Sequence, residues 1–177
     1  MGHIERIMVE CYYNSRIVSY LTLRDRFGYG KKRILKLQNA TDKYIDDYAA
    51  DVYPRGFFEA EIVKKGVDLR GFVNSIPSRV NLMLVYGDNV PKRVKPSDIP
   101  VIRRAVYTFF AINIYAINKD MGVSIKKINE EYLPGMKNNF SCLAEKGRLT
   151  IEDVVKVMIE ECSYLDHRYE VIGDVDQ

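Results

Sequence analysis

Tryptophan is missing altogether from the 177 residues, histidine occurs only as His3 and His167, and cysteine only as Cys11, Cys142 and Cys162. These scarcities exclude a good deal. The cysteines are widely spaced and form no paired-ligand pattern, so neither a disulfide framework nor a zinc cluster is expected. Each stands among apolar or helix-like neighbours, where cysteine behaves as a small core residue. Cys162 and His167 lie near one another in sequence but lack the further ligands, about four in all, that a zinc ion needs. No metal and no cofactor are expected, and the unpaired thiols point to a reducing cytoplasm.

Long apolar runs are lacking too. None approaches the roughly 18 residues that a membrane span requires, so no membrane partner is expected. Glu5, Arg6 and Glu10 interrupt the N-terminus where a secretory signal would be apolar, and Arg6 occupies the position where myristoylation wants Ser or Thr. Catalytic patterns are equally scarce. Gly28-Tyr29-Gly30-Lys31 is too short for a phosphate-cradling loop and lacks its Gly-Lys-Ser/Thr arrangement. There is no nucleophile-elbow sequence, and two histidines offer little material for acid–base work. A binding protein is expected, not an enzyme.

What is present reads as an ordinary globular chain: 47% apolar and 29% charged residues, with 13 Tyr and 7 Phe. The net charge of +3 is unevenly spread, at +4 over residues 1–86, +1 over 87–100 and −2 over 101–177. Neither half is basic enough to demand nucleic acid, and a dipolar chain that pairs with protein fits equally well.

Helical spacing dominates, as at Ile17, Tyr20, Leu21, Arg24 and Phe27, and little or no sheet is expected. Residues 87–100 concentrate Gly87, Asp88, Asn89, Pro91, Pro96 and Pro100, the composition of a linker. They divide an N-terminal helical lobe, 1–86, from a C-terminal helical lobe, 101–177. Ser97 or Asp98 could cap the helix that follows, with Pro100 in its first turn. The apolar run Val80–Tyr86 is too short to decide between strand and buried helix. Thr150 and Asp153 approximate a capping box with Leu149 and Val154 as its staple, Gly66 and Gly147 stand where helices stop or restart, and the tail after Glu170 is expected to fray.

The two lobes match weakly at an offset of 94: Ile17 with Ala111, Leu23 with Ile117, Phe27 with Met121, Gly28 with Gly122, Lys32 with Lys126 and Ile34 with Ile128. If the match reflects duplication, it means two copies of one helical unit. Each copy reads as a helix-turn-helix-like hairpin. In the first, Leu23, Phe27, Tyr29, Ile34 and Leu37 would form the inner face, with Gly28 at the turn. In the second, Ile117, Met121, Gly122, Val123 and Ile128 take those places. Unless these lysines are simply a solvated face or a protein contact, DNA contact would then fall on the starts of the second helices: Gly30, Lys31, Lys32, Arg33 and Lys36, then Ser124, Lys126 and Lys127. The pattern has defects. Arg24 and Asn118 stand where a small residue lets the helices approach, and Glu131 stands where a buried residue belongs.

Two features favour a protein partner instead. Asp42, Asp46, Asp47 and Asp51, interleaved with Tyr44 and Tyr48, form an acidic ladder that is a solvated face, a partner-binding surface mimicking phosphates, or a divalent-ion site, though it lacks the spacing and turn glycine of a calcium loop. The abundant tyrosines fit core packing first and an interface, such as a homodimer's, second.

The stretch LRDRFGYGKKRI, followed by a Gly-aromatic-acidic segment, resembles small uncharacterised accessory proteins of Gram-positive bacteriophages and prophages with an F-G-x-G-K-K-R signature. The resemblance covers residues 17–69 and brings no active site. It implies a phage accessory protein in a bacterial cytoplasm. Such proteins either bind DNA or inhibit a host defence system by binding one of its components, as anti-CRISPR proteins do.

Overall fold

Residues 1–145 and 148–162 are described by a computed structural model of the chain. Gly147, His167 and the tail after Glu170 lie outside the described residues. Within them the protein is mainly α-helical and no strand occurs. The elements are α1 (His3–Phe27), α2 (Lys31–Ala49), α3 (Phe57–Lys64), α4 (Leu69–Asn74), α5 (Ser78–Tyr86), α6 (Asp98–Lys119), α7 (Ile125–Lys127), a π-helical turn (Ile128–Tyr132), α8 (Leu133–Ala144) and α9 (Ile151–Cys162). The ambiguous run Val80–Tyr86 is thus the body of α5. Leu82, Met83 and Leu84 favour helix, and Pro77 sits immediately ahead of its first residue.

The sequence offset reappears in part in the backbone, although α1 runs on to Phe27 and α6 ends at Lys119. Gly28 and Gly122 both adopt φ 67° in the left-handed region. After them, the Tyr29 N–H donates to the Leu23 carbonyl at 3.3 Å and the Val123 N–H to the Ile117 carbonyl at 3.2 Å. At Gly28 this is the long closing bond that ends a helix at a left-handed glycine, whereas α6 is capped at Asp120 and the bond across Gly122 closes the turn that follows. The next helices open alike, with Ile34 N–H bonded to Gly30 and Ile128 N–H to Ser124. α3 and α9 begin at Phe57 and Ile151, which keeps the same offset.

The halves pack crosswise. α1 lies against α6, α8 and α9, while α6 lies against α2 and α3, so each half's leading helix buries the later helices of the other. One continuous hydrophobic cluster results. The defects in the hairpin pattern account for this. Arg24, too large for a close crossing, turns to α9, where its Nε donates to Glu161 at 2.7 Å. Asn118 donates to the Val123 carbonyl at 2.9 Å and stitches its own turn. α2 buries Ile34, Leu37, Thr41 and Tyr44, and its principal helix partner is α6. Glu131 stays exposed because the π turn adds a step and brings Tyr132 inward in its place.

At the centre of the crossing lies a buried polar network. Tyr132 and Ser19 hydroxyls are 2.7 Å apart, Ser19 donates to Asn113 Oδ1 at 2.6 Å, and Asn113 Nδ2 reaches Thr41 Oγ1 at 3.4 Å. Ser19 and Asn113 are themselves separated by the repeat offset, so equivalent positions of the two halves meet there. Small polar residues let α1 and α6 approach closely, and their mutual bonding removes the penalty of burying them.

Residues 87–97 of the expected linker are non-helical and mostly exposed, residues 98–100 instead open α6, and the non-helical part does one structural job. Asp88 receives the N–H groups of Ile151 at 2.7 Å and Glu152 at 3.0 Å, capping α9 from across the molecule. Thr150 and Asp153 complete the expected capping box, each backbone N–H bonded to the other's side chain at 3.1 and 3.0 Å. Asp88→Ala should therefore cost about 1–2 kcal/mol. It should appear as a lower denaturation midpoint with faster exchange of the Ile151 and Glu152 amides, and unchanged exchange there would dismiss the long-range cap. At the start of α6, Ser97 occupies the N-cap position without a side-chain cap bond, Pro100 lies in the first turn, and buried Asp98 instead pairs with His3 at 3.0 Å.

Several ionisable groups are held protonated inside this core. Burial pushes the Cys11 thiol up from 9.0 to about 12, with a weaker opposing effect from the Ser15 hydrogen bond. Burial likewise raises the Tyr12, Tyr44 and Tyr132 hydroxyls. The sign follows from linkage: above pH 9 the unfolded chain releases protons that the native state retains, so stability falls as pH rises. Denaturant melts should show a progressive loss between about pH 9 and 12, and a flat profile would contradict these burials.

Candidate nucleic-acid interface

The crosswise packing brings the C-terminal ends of α1 and α6 to one pole, and the following turns face a shared cavity of about 370 Å³. Phe27, Tyr29, Arg33 and Lys36 line it from the first half. Met121, Gly122, Val123 and Lys127 line it from the second. Phe27 with Met121, Tyr29 with Val123, and Arg33 with Lys127 are equivalent positions of the repeat, so the two turns contribute matching wall residues.

Local sequence explains each placement. Left-handed Gly28 ends α1 abruptly, and left-handed Gly122 reverses the chain just beyond the end of α6. Tyr29, two residues before α2, is buried, and the Arg33 guanidinium stands 5.4 Å from its ring centroid. This cation–π contact holds Arg33 at the cavity wall. Burial raises the Tyr29 hydroxyl and the neighbouring Arg33 opposes that rise. Phe27 and Met121 are only half-buried, and they form an apolar rim instead of a hairpin core.

The opening of α2 is unusual electrostatically. Its N-cap is Gly30, with no side-chain cap, and its first turn carries no acid. Lys31, Lys32 and Arg33 are exposed there, although a helix N-terminus favours negative charge. Cations at that end cost stability that a bound anion restores. Ser124 caps α7 by accepting from the Lys127 N–H at 3.2 Å, and Lys126 and Lys127 are exposed beside it.

Of the sequence-derived DNA contacts, Arg33, Lys36 and Lys127 line the shared cavity, while Lys31, Lys32 and Lys126 are exposed on the same two helix starts. The two starts therefore border one cavity. They do not stand about 34 Å apart, the spacing at which paired recognition helices enter successive major grooves. Phe27 and Met121, which the hairpin pattern assigns to the core, instead form cavity wall. Their pairing at the repeat offset was the available signal.

The acidic ladder separates. Asp42 pairs with the buried Arg16 of α1. Tyr44 is buried, donates its hydroxyl to Asp120 at 2.8 Å, and meets Tyr115 edge-on at 5.3 Å between centroids. Tyr48 is half-buried against Phe58. Only Asp46 and Asp51 are fully exposed, with Asp47 intermediate, so the ladder does not present one acidic stripe. The aromatic excess is used similarly: Tyr44, Tyr53, Phe57, Phe58 and Tyr115 form one cluster, and Phe72, Phe109, Phe110 and Phe140 another.

Among the described residues, no group of three or more His, Cys, Asp or Glu could hold a metal ion, and no helix is long and apolar enough to cross a membrane. No protein-family model, curated protein or solved structure matches the chain. The geometry of the basic pole therefore has to carry the functional argument.

Proposed function

We propose that this is a non-enzymatic accessory protein that binds DNA through the basic pole formed by the two turns, acting in a bacterial cytoplasm as its phage-like signature implies. One observation carries the reading: Arg33, Lys36 and Lys127, drawn from opposite halves, line a single cavity. Exposed Lys31, Lys32 and Lys126 extend that positive surface along both helix starts. Closely grouped cations that neutralise phosphates release counterions and bind through the backbone, with no base-edge readout required. The closeness of the two helix starts favours one continuous phosphate-contacting surface over two half-site readers.

The competing idea, inhibition of a host defence protein through an acidic tyrosine-rich surface, draws less support from the geometry. Tyr44 and Asp42 are already engaged inside the fold. A titration of random-sequence duplex at about 50 and 200 mM salt tests the DNA reading. Binding should be measurable at the lower salt and drop steeply at the higher. No binding at low salt would retire it and turn attention to a protein target.

A further inference from the structure

We propose that the cavity between the two turns receives one unpaired nucleotide unit, its phosphate held by Arg33, Lys36 and Lys127 and its base laid against Phe27 and Met121. The inference rests on the DNA-binding reading of this pole and narrows it from duplex backbone to an unpaired nucleotide.

Shape is the first argument. A duplex is convex and offers its phosphates along a ridge, whereas Arg33, Lys36 and Lys127, exposed around a half-open cavity, can converge on a group that projects into it. The cavity, at about 370 Å³, lies near the lower end of the roughly 300–1,000 Å³ range of small-molecule sites. That is room for a nucleotide and too little for a base pair with its two backbones. The lining is the second argument. Cations occupy one part of the wall and half-buried Phe27 and Met121 another, the combination that single-strand binders use to hold backbone and base together. Tyr29 is not the platform, because it is buried and the Arg33 guanidinium already stands over its ring. That contact pre-positions Arg33, lowering the ordering cost of gripping a phosphate.

A free nucleotide and the unpaired end of a strand present the same chemistry, and the test separates them. The full chain is titrated by fluorescence anisotropy with a labelled single strand and with its blunt duplex, and unlabelled dAMP is used as competitor. The single strand should bind about tenfold more tightly, the gain from one base stacked on an apolar wall, and dAMP should displace it. Met121→Trp, which fills the cavity from its half-buried rim without removing charge, should abolish the preference for the single strand. Equal binding of the two polymers without competition by dAMP would overturn the proposal and leave the DNA reading standing. A single-strand preference that survives Met121→Trp in a protein of unchanged circular dichroism would overturn it as well. Saturable binding of dAMP with neither polymer bound would support the cavity and make the free nucleotide its ligand, retiring the DNA reading. Failure of all three ligands would end both. The dAMP arm uses the wild-type protein, so the proposal stays testable if the tryptophan variant does not fold.

Discussion

Replacing Arg33, Lys36 and Lys127 together with alanine should flatten the dependence of log K on log salt by about 2.7 for duplex DNA, since each phosphate contact contributes roughly 0.9. The effect on affinity should be greatest at low salt, where counterion release is most favourable, and should shrink as the salt rises. Residual binding through Lys31, Lys32 and Lys126 is expected, because these remain exposed on the same helix starts. The fold should tolerate the change. Within the protein it removes the Arg33–Tyr29 cation–π pair, worth about 0.5–1 kcal/mol at a partly exposed site. A matched variant, Asp46→Asn with Asp51→Asn, removes charge from the exposed part of the acidic ladder and should leave the salt slope as it was. An unaltered slope in the cation variant would refute this pole as the phosphate-contacting surface.

The second large effect concerns the core. Phe110→Ala should destabilise the protein by about 3–5 kcal/mol, from lost apolar transfer and the cavity left behind. Phe110 is fully buried and meets Phe72 of α4, Phe109 of α6 and Phe140 of α8 edge-on, at 5.2, 5.3 and 6.1 Å between centroids. It therefore joins elements of both halves at one point on α6. Emptying that point loosens the packing of α4 and α8 together, because a close-packed interior relaxes only in part. A Tm lower by about 6–20 °C is expected from the usual scaling for a chain of this size. Thermal melts followed by circular dichroism would measure it. A loss below about 1 kcal/mol would mean that the three rings do not pack as one cluster.

Much of the local architecture was legible in the residues. Gly28 and Gly122 turn the chain after α1 and α6 because glycine readily takes the left-handed conformation there, and Thr150 with Asp153 opens α9 because their side chains satisfy its free N–H groups. The repeat was visible at its offset, because the same turn chemistry recurs in both halves. These are short-range matters, decided within a few residues of chain.

Pairing was not legible, since a helix's apolar stripe declares that it must be covered without naming the element that covers it. Only the tertiary structure set α2 against α6 and α8 against α1. The bulk of Arg24 and the π turn that brings Tyr132 inward fit the crossing between halves, not a closed hairpin. The same long-range choice turned Asp42 toward buried Arg16 and Tyr44 toward Asp120, breaking up an acidic ladder that looked continuous along the chain. It also carried Arg33 and Lys36 to Lys127. The sequence by itself determined which segments are helical, where they turn and which charges they carry. The tertiary structure decided which faces meet, because burying every stripe at once is a property of the whole chain.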